Sequence, residues 1–131
     1  MPNISNPEAF QLEAAIILAA GYTTFPGTFD WAYDSDTEIY PTETGKSREK
    51  IQFETIIWLK ENGYLHGGGL IGNEWKGLKL TDRALNALNA VSDVLSGAEP
   101  LGKRLVVAVG KGSIETIKQL IPIFVQQALS G

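Results

Sequence analysis

Basic and polar side chains that could contact nucleic acid are concentrated between residues 46 and 52 of this 131-residue chain. Arginine and glutamine can form two hydrogen bonds to a base edge, whereas lysine mainly neutralises phosphate. A helix is predicted to begin near Ser47, whose hydroxyl can cap it, so the cluster would occupy its first turns. Glu49 and Glu54 on the same helix oppose phosphate binding. The candidates are Lys46, Ser47, Arg48, Lys50 and Gln52, although such a run is more often a solvated helix start than a DNA contact.

A second group of candidates follows a glycine run at 67–69, between two short apolar segments. Its polar members could touch phosphate, and they are Asn73, Lys76 and Lys79. Trp75 lies among them, and an exposed tryptophan often marks a surface that binds another protein. The alternative is that Trp75 folds back onto Trp58 or Tyr64.

Patterns that would indicate an enzyme or a metal site are weak. The chain has no cysteine, which excludes disulfides, thiolate nucleophiles and zinc–thiolate sites. Its one histidine, His66, has no nucleophile suggested beside it. Residues 34–38 resemble the opening of a calcium loop, but Ile39 and Gly45 stand where that loop needs glycine and glutamate. Residues 107–113 lack the spacing of a phosphate loop. We therefore expect no enzyme, no cofactor and no metal.

Composition indicates one globular domain, with 44% hydrophobic and 20% charged residues. The net charge of −4 argues against nucleic acid, but the charges are unevenly distributed. Residues 1–45 hold seven acids and no base, whereas residues 46–131 hold eleven bases and eight acids, a net charge of +3. The apolar run at 14–20 is too short to span a bilayer, and no base precedes it as a secretory signal would require. We expect a cytoplasmic protein without a membrane segment.

Periodicity and capping signals predict the helices of the first half. Apolar residues at helical spacing predict a helix over 7–20, which Gly21 would end. Aromatic residues allow a short helix around 28–35. The helix that begins near Ser47 is predicted to end in a left-handed turn at Gly63.

In the second half, two short strands are predicted on either side of the glycine run, and Thr81 caps the next helix. Gly97 would end that helix. Its predicted apolar stripe contains Leu85, Leu88, Val91, Val94 and Leu95. Residues 101–111 could contain a strand, but a helix is preferred because the apolar residues share one face. Ser113 caps a final helix, whose apolar stripe includes Ile117, Ile121 and Phe124.

The segment WLKENGYL at 58–65, the glycine-rich stretch after it, and KLTDRALNAL at 79–88 resemble part of the winged helix-turn-helix superfamily. They correspond to its recognition helix, wing and following helix, and the resemblance covers about residues 8–95. It implies an α+β, mainly α fold with a small two- or three-stranded wing sheet. It also implies a winged-helix domain at 1–97 and a C-terminal helical extension at 98–131, which packs on that domain or forms a dimer interface.

The resemblance implies a DNA-binding transcriptional regulator, because the superfamily usually places the recognition helix in the major groove of double-stranded DNA. The alternative is a winged-helix module that binds another protein through Trp75 and the acidic, aromatic loop before residue 46. A third hypothesis gives the C-terminal helices a structural role as the interface of a homodimer.

Overall fold

A computed structural model of the chain describes residues 5–32, 48–91 and 99–130. These residues form five helices and a three-stranded antiparallel sheet, which confirms the expected α+β, mainly α class. The elements in chain order are α1 (Asn6–Thr24), β1 (Phe29–Ala32), α2 (Arg48–Glu61), β2 (Leu65–Ile71), β3 (Glu74–Leu80), α3 (Asp82–Asn89), α4 (Leu101–Lys111) and α5 (Ile114–Ser130).

Helix α1 begins at a cap, because the Ser5 side chain accepts a hydrogen bond from the Glu8 backbone N–H at 3.2 Å. The helix continues to Thr24, so the prediction that Gly21 ends it is wrong. Gly21 is instead a point of close contact with the sheet. A Cβ there would lie 2.8 Å from Leu80 Cγ and 3.3 Å from the Phe29 ring. The small residue serves tertiary packing and does not mark a helix end.

Residues 29–32 form a strand, so the short helix predicted around 28–35 is wrong over this part; residues 33–35 lie outside the described residues. Strand β1 pairs with β3, with Phe29 opposite Leu78 and Trp31 opposite Trp75. Cross-strand contacts between large side chains stabilise such pairs, and they override the weak helical pattern of this segment.

The sheet has the strand order β1-β3-β2. Strands β2 and β3 form a hairpin, hereafter "the hairpin", whose tight turn contains Gly72 at φ +62°. Gly67 and Gly68 also have positive φ, at +73° and +78°, a backbone conformation that other residues rarely adopt. The glycine run lies inside β2, so the prediction of strands only on either side of it is wrong, and the pairing with β3 continues through it without a change of register.

Helix α3 begins where predicted, since the Thr81 hydroxyl accepts from the Ala84 N–H at 3.1 Å and donates to the Gly63 carbonyl at 2.6 Å. It ends at Asn89, well before Gly97, because Ala90 is extended. The predicted apolar stripe is therefore wrong at Val91, which is exposed, while Val94 and Leu95 lie outside the described residues.

Residues 101–111 are helical, as preferred over a strand, and α4 ends at Gly112 in a left-handed conformation. Helices α4 and α5 pack against each other and against α1 and α3. The C-terminal segment therefore shares the core of the rest of the chain. Within the described residues, no helix combines the length and apolar character needed to cross a membrane.

Candidate functional site

The start of α2 is tied to α1 through a buried carboxylate. Glu13 on α1 is fully buried. Its carboxylate accepts hydrogen bonds from Gln52 Nε2 at 2.7 Å and from Arg48 Nε at 3.1 and 3.3 Å. Burying a carboxylate is unfavourable unless hydrogen-bond donors of the protein replace the water that it loses. The contacts with Gln52 and Arg48 supply such donors to Glu13.

This network changes the interpretation of two candidate DNA contacts. Gln52 is 5% exposed, and the prediction that it reads a base edge is wrong for this conformation. Arg48 keeps a side chain 37% exposed, but its guanidinium is bonded to Glu13. The sequence interpretation did not use Glu13. Its position midway between Ala9 and Ile17, at intervals of four on the buried face of α1, is the signal that could have found it.

The other candidate DNA contacts are divided. Lys46 and Ser47 lie outside the described residues. Lys50 is exposed near the start of α2, and Asn73 is exposed in the turn of the hairpin. Lys79 is half-buried, with its Nζ 5.8 Å from the centre of the Phe25 ring. The six candidates that the structure describes therefore do not form one exposed basic face, because Gln52 is buried and Arg48 is bonded to Glu13.

Lys76, on the hairpin, is held between two acids. Its Nζ lies 2.8 Å from Glu74 Oε1 and 3.7 Å from Asp30 Oδ2. The hydrogen bond and the charge of Glu74, with a smaller contribution from Asp30, raise the pKa of Lys76 above its ordinary value of 10.5. Asp30 also accepts from the Gly77 N–H at 2.9 Å. Two carboxylates next to this ammonium weaken its attraction for phosphate.

Trp75 is 5% exposed and lies within β3, so the prediction that it forms an exposed partner surface is wrong. The alternative, that Trp75 packs against the rest of the chain, is confirmed. Its ring centre lies 6.0 Å from that of Phe53, and Lys60 Nζ lies 5.0 Å from it. The predicted partners were Trp58 and Tyr64, but the hairpin directs Trp75 to the middle of α2.

The proposed dimer contacts on α5 are also buried within one chain. Ile117, Ile121 and Phe124 are 4%, 2% and 2% exposed, and Phe124 packs edge-on against Tyr64 at 5.2 Å. In this conformation they cannot form the interface with a second chain. The wide apolar stripe of α5 packs on the domain.

An apolar groove lies between α1, α2 and α5, on the side of α2 where Trp58 is 36% exposed. Phe10 packs edge-on against Trp58, with ring centres 4.9 Å apart, and Leu129 at the opposite border is 70% exposed. Its volume is about 410 Å³. We call it the Trp58 groove, and its lining residues are Phe10, Gln11, Trp58, Ile121, Pro122, Val125, Gln126 and Leu129.

A smaller groove of about 250 Å³ lies on the other side of the Phe10–Trp58 pair, between α1 and α2. It shares both aromatic residues and includes Ile51, Thr55 and Glu54. The aromatic pair is therefore a ridge between two depressions. Exposed apolar side chains in such a setting commonly mark a surface that binds another protein.

Two other surface features are less complete. The end of the hairpin exposes Leu70 at 44% and Ile71 at 67%, without a groove described beside them. A polar cleft between α4 and α5 includes Arg104 and Lys111 together with Glu99, so its charges are mixed. Among the described residues, no group of three or more His, Asp or Glu side chains is arranged to hold a metal ion.

Comparison of the chain with protein-family models finds no match, and comparisons with curated proteins and with solved structures find no match either. Functional inference therefore depends on the geometry of the Trp58 groove and of the start of α2.

Proposed function

We propose that this protein is a winged-helix protein that acts by binding another protein and not by reading DNA. The winged-helix part of this proposal is supported by the order of elements, in which a helix is followed by a hairpin and then by a second helix. It is also supported by the addition of β1 to the outer side of β3, which completes a small three-stranded sheet.

The observation that carries the proposal is the hydrogen bonding of Arg48 and Gln52 to Glu13. In the superfamily's usual mode these side chains would reach base edges from the first turns of the recognition helix. Here Gln52 would have to leave a buried site, and its departure would remove the 2.7 Å hydrogen bond from a fully buried carboxylate. That exchange opposes DNA reading through this helix.

Binding of a protein is supported by the Trp58 groove. Interfaces between proteins are enriched in aromatic residues at their centre, and here Trp58 and Phe10 lie side by side at the surface of the fold. A cytoplasmic location fits this role, and we propose it together with the function.

The first experiment is fluorescence anisotropy with a labelled mixed-sequence DNA duplex at several salt concentrations. Binding through phosphates weakens steeply as salt increases, because counterions are released from the duplex. We expect that replacing basic residues at the start of α2 leaves any binding at low salt unchanged. The matched variant is Lys46→Ala with Lys50→Ala, which removes two charges and keeps Arg48 and Gln52, which donate to Glu13.

Tight, steeply salt-dependent binding that this double variant abolishes would contradict the proposal and support the DNA-binding regulator. The search for a partner uses the immobilised chain to retrieve bound proteins from a lysate of the source cells. A retrieved protein supports the proposal only if its purified form binds the purified chain directly, with saturation.

A further inference from the structure

We propose that two copies of the chain associate through the free edge of β2, which pairs antiparallel with β2 of the second copy. This inference goes beyond the proposed function and is independent of it, because it uses the hairpin and none of the residues that line the Trp58 groove. Three features of β2 carry it, which are the direction of its backbone groups, its lack of charge and its exposed apolar side chains.

Strand β2 has a free edge. In the strand order β1-β3-β2 it lies outermost, and among the described strands it pairs with β3 alone. Ile71 and Glu74 form the pair that closes the two-residue turn of the hairpin. Such a closing pair exchanges hydrogen bonds, and pairs with and without hydrogen bonds alternate along antiparallel strands. The next residue, Leu70, therefore directs its N–H and C=O away from β3, towards the free edge.

Lys60 shows which part of this edge is open. Its Nζ, from α2, donates to the Gly68 carbonyl at 3.4 Å. Gly67 and Gly68 also have positive φ, which makes the edge irregular there. Leu70 lies between this part of the strand and the turn. The edge is therefore open for pairing at Leu70, near the end of the hairpin.

Strand β2 lacks the charged side chains that usually protect a free edge. Proteins place charges, especially lysine, on edge strands, because an unprotected edge pairs with strands of other chains. Strand β1 carries Asp30, and β3 carries Glu74, Lys76 and Lys79, whereas residues 65–71 contain no Asp, Glu, Lys or Arg. Two copies of β2 can therefore approach without repulsion between like charges on the paired strands.

The exposed side chains favour a second copy as the occupant. Leu70 is 44% exposed and Ile71 is 67% exposed. Because successive residues of a strand point to opposite faces, the end of β2 is apolar on both faces. A strand from an ordinary amphipathic sheet would bring polar side chains to one of these faces. Strand β2 of a second copy is uncharged and apolar on both faces, so it matches this edge.

The geometry points to pairing about a two-fold axis at Leu70. The Leu70 residues of the two copies would exchange two backbone hydrogen bonds, with their Cα atoms about 5.5 Å apart. Gly68 lies two residues from this axis in each copy, and a strand rises about 3.4 Å per residue. The two Lys60 ammonium groups would be separated by roughly 14 Å, more than the Debye length of about 8 Å at physiological ionic strength.

Disulfide trapping tests this register, because the chain has no cysteine of its own. Leu70→Cys would place two thiols at a Cα separation that a disulfide accepts, about 4.4–6.8 Å. Under mild oxidation we expect this variant to form a covalent dimer at least about tenfold faster than Leu129→Cys, since pairing raises the local thiol concentration. Leu129 is the matched control, because it is apolar, 70% exposed and outside the hairpin.

Sedimentation equilibrium tests the association of the unsubstituted chain. Its average mass should rise with concentration towards twice the mass of one chain. Ile71→Lys places a positive charge next to the axis in each copy and should weaken association at least about tenfold. Leu129→Lys, which adds the same charge outside the hairpin, should leave association unchanged. Urea denaturation of both variants checks that they fold.

Several outcomes would overturn the inference. These are a monomer mass at every concentration, association that is insensitive to Ile71→Lys, or equal rates of crosslinking for the two cysteine variants. Association that Leu129→Lys abolishes would assign the interface between copies to the Trp58 groove instead. The proposed function would survive each of the first three results if a purified partner still bound. Specific duplex binding would contradict the proposed function and leave the β2 pairing in place.

Discussion

The two ends of α2 differ in which side chains they expose. At its start, the polar side chain of Gln52 is buried and Arg48 is bonded to the buried Glu13. In its second half, Trp58 is more than one-third exposed and borders an apolar groove. Residue type alone would predict the opposite, with Arg48 and Gln52 available at the surface and Trp58 buried. The comparison teaches that a predicted binding surface must be tested against what the neighbouring helix requires, here the satisfaction of Glu13.

The largest effect should separate the two tryptophans that the sequence does not distinguish. Trp75→Ala removes a ring that is 5% exposed, and we expect the free energy of unfolding to fall by about 3–5 kcal/mol. Trp58→Ala removes a ring that is 36% exposed and should lower it less, by about 1–3 kcal/mol. Urea denaturation measures both. Equal losses would contradict the assignment of Trp75 to the core and Trp58 to the surface.

The Glu13 network should show a rescue. Gln52→Leu removes the 2.7 Å hydrogen bond to a buried carboxylate, and the free energy of unfolding at pH 7 should fall by about 2–3 kcal/mol. Adding Glu13→Leu should recover most of that loss, because an apolar pair of similar size needs no hydrogen bond. Lys50→Ala is the exposed control on the same helix and should change stability by less than about 0.5 kcal/mol. If the losses of stability from the two single substitutions simply added in the double variant, the coupling between Gln52 and Glu13 would be refuted.

Leu129 should separate binding from stability. Because this side chain is 70% exposed, Leu129→Gln should change the free energy of unfolding by less than about 0.5 kcal/mol. The same variant should weaken binding of the partner protein at the Trp58 groove. A large loss of stability in urea denaturation would show that Leu129 belongs to the core, and the groove would then lose its border.

The smallest effect concerns Lys76. Its pKa is raised by Glu74 and Asp30, so its ion pairs favour the folded state while the amine is charged. This contribution is fully present below pH 10.5 and is lost as the pH rises through the higher pKa of the folded state. In NMR titration the Lys76 side chain should therefore titrate above 10.5, and Glu74→Gln should move its midpoint down. An unchanged midpoint in that variant would contradict the pairing.

Local signals were sufficient for several elements of the fold. The cap at Thr81 and the turn after α2 are set by residues close together in the sequence, and the structure has them where predicted, whereas the hairpin exists with longer strands and with the glycine run inside β2. The preference for a helix at 101–111 was also correct, because its apolar residues share one face of a helix. Such patterns can be recognised without knowing the tertiary contacts.

Long-range contacts set the features that the sequence did not predict. Strand β1 exists because its aromatic residues pair with β3, more than forty residues later in the chain. Gly21 lies within α1 at the place where Leu80, 59 residues later, packs closely against the helix. The burial of Gln52 depends on Glu13, 39 residues earlier. The choice of candidate contacts by residue type therefore could not show which side chains at the start of a helix point inward.

The central claim is that the Trp58 groove, and not the start of α2, carries the binding function. Site-specific photo-crosslinking in the source cells tests it directly, with p-benzoylphenylalanine placed at position 129, at position 50 or at position 71 in the full chain. The account predicts one discrete protein adduct from position 129 that positions 50 and 71 do not give, and no nucleic-acid adduct from position 50. Nucleic-acid adducts from position 50, with none to protein from position 129, would contradict it.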